Sequence, residues 1–149
     1  MIYSKTIKTP IGKLGLYADE THLLRITFCA AEEKENSNNI LENTEKQLQE
    51  YFTGKRQKFT IPLKMEGTEF RKKVWDQLRK IPFGETISYQ ELAERVGSIK
   101  KARAVGNANH YNPIPIIVPC HRVVRKSGDL GGFGGGLDVK EYLLKLEKK

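Results

Sequence analysis

Polar and apolar residues alternate along the first 28 positions in three short runs, Ile2 to Lys8, Leu14 to Ala18 and Leu23 to Phe28, parted by Pro10-Ile11-Gly12 and Asp19-Glu20-Thr21. A period of two bounded by turn residues predicts an antiparallel meander. The polar, asparagine-rich stretch from Glu32 to Asn39 reads as a loop. Beyond it Ile40, Leu41, Thr44, Leu48 and Tyr51/Phe52 recur at helical spacing, with Asn39 and Glu42 placed as a capping box and Gly54 as a stop. Phe59 to Ile61 is read as one more strand before Pro62. Lys64 to Gly67 fits neither period, so the chain is divided there into a small α/β domain, 1–66, and a second domain, 67–149.

The second domain reads mainly as helices. Phe70, Val74, Leu78 and Ile81, with Trp75 beside them, form one amphipathic face that ends at Pro82-Phe83-Gly84. Ser88 and Glu91 form a capping box before a short helix with Leu92, Ala93 and Val96 inward and Gly97 as its stop. Ser98 is placed to cap another helix from about Ile99 to Asn109. Two short helices joined at a glycine fit a helix-turn-helix and an ordinary helix hairpin alike. Asn112 to Arg122 contains three prolines and is expected to be extended. Gly128 to Gly136 holds six glycines and reads as a loop, and Asp138 and Glu141 are read as caps of a last helix with Val139, Tyr142, Leu143 and Leu146 on its inner side.

With 149 residues, 38% of them hydrophobic and 30% charged, the chain can bury one ordinary core or two small ones, and a large multidomain machine is excluded. Its longest apolar stretches, Ile26 to Ala31 and Ile114 to Cys120, fall far below the roughly 20 residues that span a bilayer. No membrane association is expected, and the N-terminal run lacks the apolar core of a signal peptide, so a cytoplasmic setting with free thiols at Cys29 and Cys120 is expected. Charge sharpens the division: residues 1–66 carry ten basic and nine acidic groups, residues 67–149 carry 16 and nine, within a net charge of +8. Such an excess favours a polyanion such as nucleic acid, although basic proteins without one are common.

Candidate chemistry centres on Cys120, which follows an apolar run and directly precedes His121 and Arg122. A thiolate is the reactive form of cysteine and a neighbouring imidazole favours it. In an extended segment, however, adjacent side chains face opposite ways, so the pair alone fits an inert buried cysteine equally well. Cys29, at the end of an apolar strand, is expected to pack. His22, His110 and His121 lack metal-ligand spacing, so no metal is expected. The glycines from Gly131 to Gly136 lack the leading strand and the Gly-Lys-Ser/Thr of a phosphate-binding loop; a linker and a loop that lets its backbone approach a flat ligand both remain open.

Three segments together resemble the O6-alkylguanine-DNA alkyltransferases: Ile81 to Ala93 (IPFGETISYQELA), Lys101 to Gly106 (KARAVG) and Asn112 to Val124 (NPIPIIVPCHRVV). The likeness is close over about residues 68–147 and one of layout before that. It implies a ribonuclease H-like N-terminal domain and a winged-helix-like helix-turn-helix in the C-terminal one. The implied activity is one-step, stoichiometric transfer of an alkyl group from O6 of guanine, and from O4 of thymine, to Cys120, by a monomer without cofactor. His121 and Glu147 would manage the thiol proton with a water, Tyr89 would protonate or hydrogen-bond guanine N3, and Asn112 would hold the turn before the acceptor. The second helix would enter the minor groove of double-stranded DNA through Lys101, Ala102, Ala104 and Gly106, with Arg103 filling the place of a flipped guanine and Arg122 also at the DNA. A loop of Gly132, Phe133, Gly134, Gly135 and Gly136, with Lys140, would cover the base.

Many relatives carry a tyrosine-serine pair where this chain has Phe133-Gly134, which removes a hydroxyl contact to guanine O6 and leaves backbone N–H groups for that task. The zinc ligands some relatives carry in the N-terminal domain are absent. Two rival readings remain: a lesion-binding protein without chemistry, against which Cys120 stands, and a general helix-turn-helix protein, which leaves Pro119-Cys120-His121-Arg122 and Glu147 unexplained.

Overall fold

The computed structural model describes residues 1–32, 34–125, 127, 131 and 133–148. Among these, no helix is long and apolar enough to cross a membrane, and no group of three or more His, Cys, Asp or Glu side chains could hold a metal ion. The chain divides into two compact units, Met1–Met65 and Glu66–Lys149.

In the first unit β1 (Tyr3–Thr9), β2 (Gly12–Ala18) and β3 (Leu23–Thr27) form an antiparallel sheet in that order. One face is covered by α1 (Asn39–Phe52), and Leu14, Leu16, Leu23, Leu41, Leu48 and Tyr51 are fully buried. The helix cap is Asn38, not Asn39: the Asn38 side chain accepts from Leu41 N at 3.0 Å. Glu42 completes no capping box, because its carboxylate is taken by Lys5 at 2.8 Å and by Ser37. The strand expected over Phe59 to Ile61 does not form. Thr60 N–H donates to the buried Gln47 side chain at 2.9 Å instead of to a ladder, and the chain meets the sheet further on, in an isolated parallel bridge between Leu23 and Leu63. Cys29 is exposed rather than packed, since β3 ends at Thr27 and the bend after it faces outward.

The second unit opens with α2 (Glu69–Leu78), whose Thr68 cap accepts from Arg71 N. Trp75 is buried and its indole N–H donates to the Ala108 carbonyl at 2.9 Å. A short β4 (Ile87–Ser88) leads into α3 (Tyr89–Val96), capped by the Ser88 hydroxyl; Glu91 does not reach back but pairs with Arg95 at 2.6 Å. At Gly97 φ is +150°, which lets the chain turn into α4 (Ala102–His110) through a 3-10 turn, Ile99–Lys101, that Ser98 caps. These helices make the helix-turn-helix.

The proline-rich segment is not extended. Prolines exclude helix but permit turns, and here Val118 N bonds Ile114 O, Cys120 N bonds Val118 O, and Ile116 takes a left-handed φ of 74°. A 3-10 turn, Cys120–Arg122, leads to β5 (Val123–Val124), parallel to β4. The last helix, α5 (Leu137–Glu147), starts at Gly136 without a side-chain cap; Asp138 lies in its first turn and Glu141 pairs with Lys145. Its buried residues are Lys140, Leu143 and Glu147, while Val139 and Leu146 are half-buried and Tyr142 exposed.

Candidate active site

Glu147 organises the site from the end of α5. Its carboxylate receives His121 Nε2 at 2.7 Å, Arg122 Nε at 2.7 Å and Arg122 Nη2 at 3.0 Å, and accepts from Gly84 N at 3.4 Å. Arg122 spends a further donor on the Ile81 carbonyl at 2.6 Å. Arg122 is thus buried by a forked pair with Glu147 and is not available to DNA, because removing a charge from water demands a partner of this kind. Burial pushes the Glu147 carboxyl up, but the hydrogen bonds from His121 and Arg122 outweigh it and hold the group at about 2.

Burial lowers the pKa of His121 against the opposing pull of Glu147, so the imidazole is neutral at neutral pH. With Nε2 donating to an anionic carboxylate, the ring proton sits there, and Nδ1 is left as an acceptor. Nδ1 is buried and has no hydrogen-bond partner among the described residues.

The thiol next to it in the chain, Cys120, is 5% exposed. Burial pushes it up to about 11, opposed by a hydrogen bond from Asn112, the Lys140 charge and its own backbone N–H. Asn112 also fixes the turn, donating to Val118 O at 2.8 Å and accepting from Ile114 N at 3.0 Å. Lys140 belongs to α5 rather than to a covering loop. It is fully buried, donates to Val123 O at 2.7 Å, and burial brings its ammonium down to about 8.

Tyr89 stands at the start of α3 with its pKa raised by burial and, next, by the charge of Cys120. A Cβ at Gly131 would lie 2.9 Å from its hydroxyl, so only glycine fits beside it. Tyr89, Ala102, Arg103, Gly106, Asn109, His110 and Arg125 line a pocket of about 370 Å³. Arg103 and Ala104 are exposed on α4, and Lys101 is exposed on the preceding turn. A Cβ at Gly106 would meet the Tyr89 ring at an ordinary 3.8 Å, so nothing in the chain itself demands glycine there. Phe133 and Gly135 are half-buried and Gly134 and Gly136 exposed just before α5, whereas Gly132 lies outside the described residues.

Sequence reasoning brings Cys120, His121, Glu147, Asn112 and Tyr89 into play, and it misses Asn109, His110 and Arg125 of the pocket wall. For Asn109 and His110 a usable signal existed: they lie on the same helix as Arg103, six and seven positions on, so a face drawn through Arg103 and Gly106 passes them.

Comparison with known proteins extends over the whole chain. Residues 69–149 match the family model of the 6-O-methylguanine DNA methyltransferase DNA binding domain, and residues 2–65 match that of the family's ribonuclease-like domain. The chain is 46% identical to the methylated-DNA–protein-cysteine methyltransferase of Methanosarcina acetivorans, covering 98% of each, and 41% identical to the constitutive enzyme of Bacillus subtilis, covering 99% of this chain and 96% of that one. Among solved structures, O6-methylguanine methyltransferase of Mycobacterium tuberculosis superposes with a TM-score of 0.91 at 41% identity, covering 99% of this chain and 93% of that one. The same organism's protein in complex with DNA gives 0.90 at 42%, with 98% and 92% covered. With both domain models matched and the acceptor cysteine in its hydrogen-bonded setting, the chain belongs to the 6-O-methylguanine DNA methyltransferase family.

Proposed function

We propose that this protein repairs DNA directly, by moving the alkyl group of O6-alkylguanine onto Cys120 Sγ in a single turnover. The observation that carries this reading is the His121 ring: Glu147 takes the Nε2 side, and a buried Nδ1 without a partner among the described residues is left on the residue that follows a buried thiol in the chain. A thiol at about 11 is almost wholly protonated at neutral pH, so a base has to take its proton as the bond forms. His121 Nδ1, through a water, is that base. Sγ then bonds to the alkyl carbon, the C–O6 bond breaks, and its electron pair passes into the purine. The guanine gains one proton, delivered at N3 by Tyr89, for the one the thiol gave up. The resulting thioether has no leaving group, so each protein reacts once.

The base is out of reach within the duplex and has to be flipped at a cost of a few kcal/mol. In this reading the α4 face of half-buried Ala102 and Gly106 and exposed Ala104 enters the minor groove, whose width of about 6 Å admits a helix with small side chains. Arg103 fills the gap in the stack and the protein acts as a monomer.

Intact-protein mass spectrometry after mixing with an O6-methylguanine oligonucleotide tests the proposal. One methyl increment per chain, located on Cys120 and abolished by Cys120→Ser while that variant still binds the oligonucleotide, is the expected result. Binding without any increment would make the protein a lesion binder.

A further inference from the structure

Two arginines flank β5 and meet opposite fates. Arg122 is buried, with its guanidinium committed to Glu147 and to the Ile81 carbonyl. Arg125 is exposed, and among the described residues it enters no ion pair. The strand explains the difference: Val123 is buried, Val124 is half-buried, and the next residue clears the surface. The backbone also fixes where Arg125 emerges. In the parallel ladder Val124 is the partner of Ser88, so Arg125 follows it in step with Tyr89, the first residue of α3.

Arg125 does not simply project into solvent. It lines the pocket of about 370 Å³ together with Tyr89, Arg103 and His110, and no residue of that lining is an acid. Arg103 reaches the pocket from α4 and Arg125 from the end of β5, so two permanent positive charges from separate elements share one small cavity with no carboxylate in its wall. A cleft lined by one sign of charge draws in the other. A guanidinium suits a phosphodiester in particular, because its planar fork of donors matches two phosphate oxygens.

Flipping gives the two arginines different work. A nucleotide turned out of the duplex remains joined to its phosphates, which move with the sugar towards the protein. Arg103, in the gap left in the stack, is spent inside the duplex. Arg125 stands in step with Tyr89, the residue that meets the base, rather than on the groove-binding helix, and is placed for the backbone of the displaced nucleotide.

We infer that Arg125 binds the phosphodiester adjoining the flipped nucleotide, so that Arg103 serves the stack and Arg125 the displaced backbone. The contact rests on the flipped-base reading of the site given above and goes beyond it by assigning the extruded nucleotide a charge partner.

Pairing a change in the protein with a change at a single phosphate tests the contact. Affinity for a duplex with one O6-methylguanine is measured in the Cys120→Ser background, so that binding is read apart from transfer, with and without Arg125→Ala. The duplexes carry an ordinary backbone, one neutral methylphosphonate on the 5′ or the 3′ side of the lesion, or one elsewhere in the footprint. Arg125→Ala weakens binding of the ordinary duplex on the order of tenfold and makes its salt dependence shallower by about one unit. One of the two flanking methylphosphonates weakens the Arg125 protein by a similar factor yet costs the alanine variant nothing more, while the one elsewhere weakens both alike. Independent losses at both flanking phosphates would make Arg125 a general surface cation, and undiminished affinity in Arg125→Ala would mean that it touches no DNA; either overturns the inference. Should Cys120→Ser not fold, the same duplexes are compared by the protein concentration at which single-turnover transfer is half-maximal. Coupling without any methyl on wild-type Cys120 would overturn the reading of the reaction and leave this contact standing, whereas methyl transfer with independent losses would overturn the contact alone.

Discussion

His121 Nε2 meets Glu147 Oε2 at 2.7 Å with both side chains sealed from solvent, and the same carboxylate is forked by Arg122. Glu147 therefore serves two masters: it sets the tautomer of His121 and neutralises a buried guanidinium.

Those two roles separate experimentally. Glu147→Gln should slow transfer by a factor on the order of 10² or more and lower stability by about 3–5 kcal/mol, the usual cost of leaving one member of a buried pair alone. Adding Arg122→Met removes the orphaned charge, so the double variant should regain much of the denaturation midpoint while its transfer stays slow. Recovery of transfer along with stability would show that Glu147 matters to the reaction only through folding.

Acid should unfold the protein through the same group. The Glu147 carboxyl falls from its ordinary 4.5 to about 2 in the folded chain. A depressed carboxyl contributes stability that is fully present above the unfolded value and is lost as pH falls from 4.5 toward 2. His121 works in the same direction, because its folded pKa lies below 6.5 and the unfolded chain takes up that proton first. Urea midpoints between about pH 7 and pH 3 should fall steadily for wild type, and the limb below 4.5 should be flatter for Glu147→Gln. Parallel curves would remove Glu147 as the cause.

Arg103 is exposed and lines the pocket. If it fills the stack, Arg103→Ala should slow repair of a paired O6-methylguanine far more than of one opposite an abasic site, where flipping costs less. Lys100→Ala should show no such rescue and should make the salt dependence shallower by about one unit. Equal deficits of Arg103→Ala on both substrates would reduce it to a phosphate contact.

Gly106 offers a test with opposite signs. Replacing a helical glycine by alanine should raise stability by about 0.5–1 kcal/mol, since the added Cβ finds ordinary contact at 3.8 Å from Tyr89. On the minor-groove reading the same methyl should weaken DNA binding. Stabilisation with undiminished affinity would place the groove contact elsewhere.

The sheet, α1 and the helix pair of the helix-turn-helix are legible because their periods report side-chain transfer free energies directly. Where the pattern misleads, a polar group is buried by a distant partner. On α5 the apolar period selects Val139, Tyr142, Leu143 and Leu146, yet the buried line is Lys140, Leu143 and Glu147. Lys140 is satisfied by Val123 and Glu147 by Arg122 and Gly84, 17 to 63 positions away, and no local pattern records such partners. Arg122 misleads for the same reason: taken alone, an arginine in a basic domain belongs at a phosphate. The missing strand at Phe59 to Ile61 is similar, since the donor that a ladder would have used is claimed by a glutamine 13 residues back. The acceptor turn is legible only as a motif. Its prolines correctly forbid helix, but the choice between strand and turn lies with the Asn112 side chain.

The burial of Cys120 gives repair a mechanical aftermath. The sulfur that accepts the alkyl group lies in a turn that includes Ile116 at a φ of 74° and is held by Asn112. Methylation removes the S–H and inserts a carbon into packed space, and overfilling of this kind costs about 1–3 kcal/mol. On the proposed reaction the spent molecule should then be softer than the fresh one, with the loss falling beside β5 and α4. A protease or a thermal melt can tell the two apart without consulting the DNA, so the fold itself keeps a record of which copies have been used.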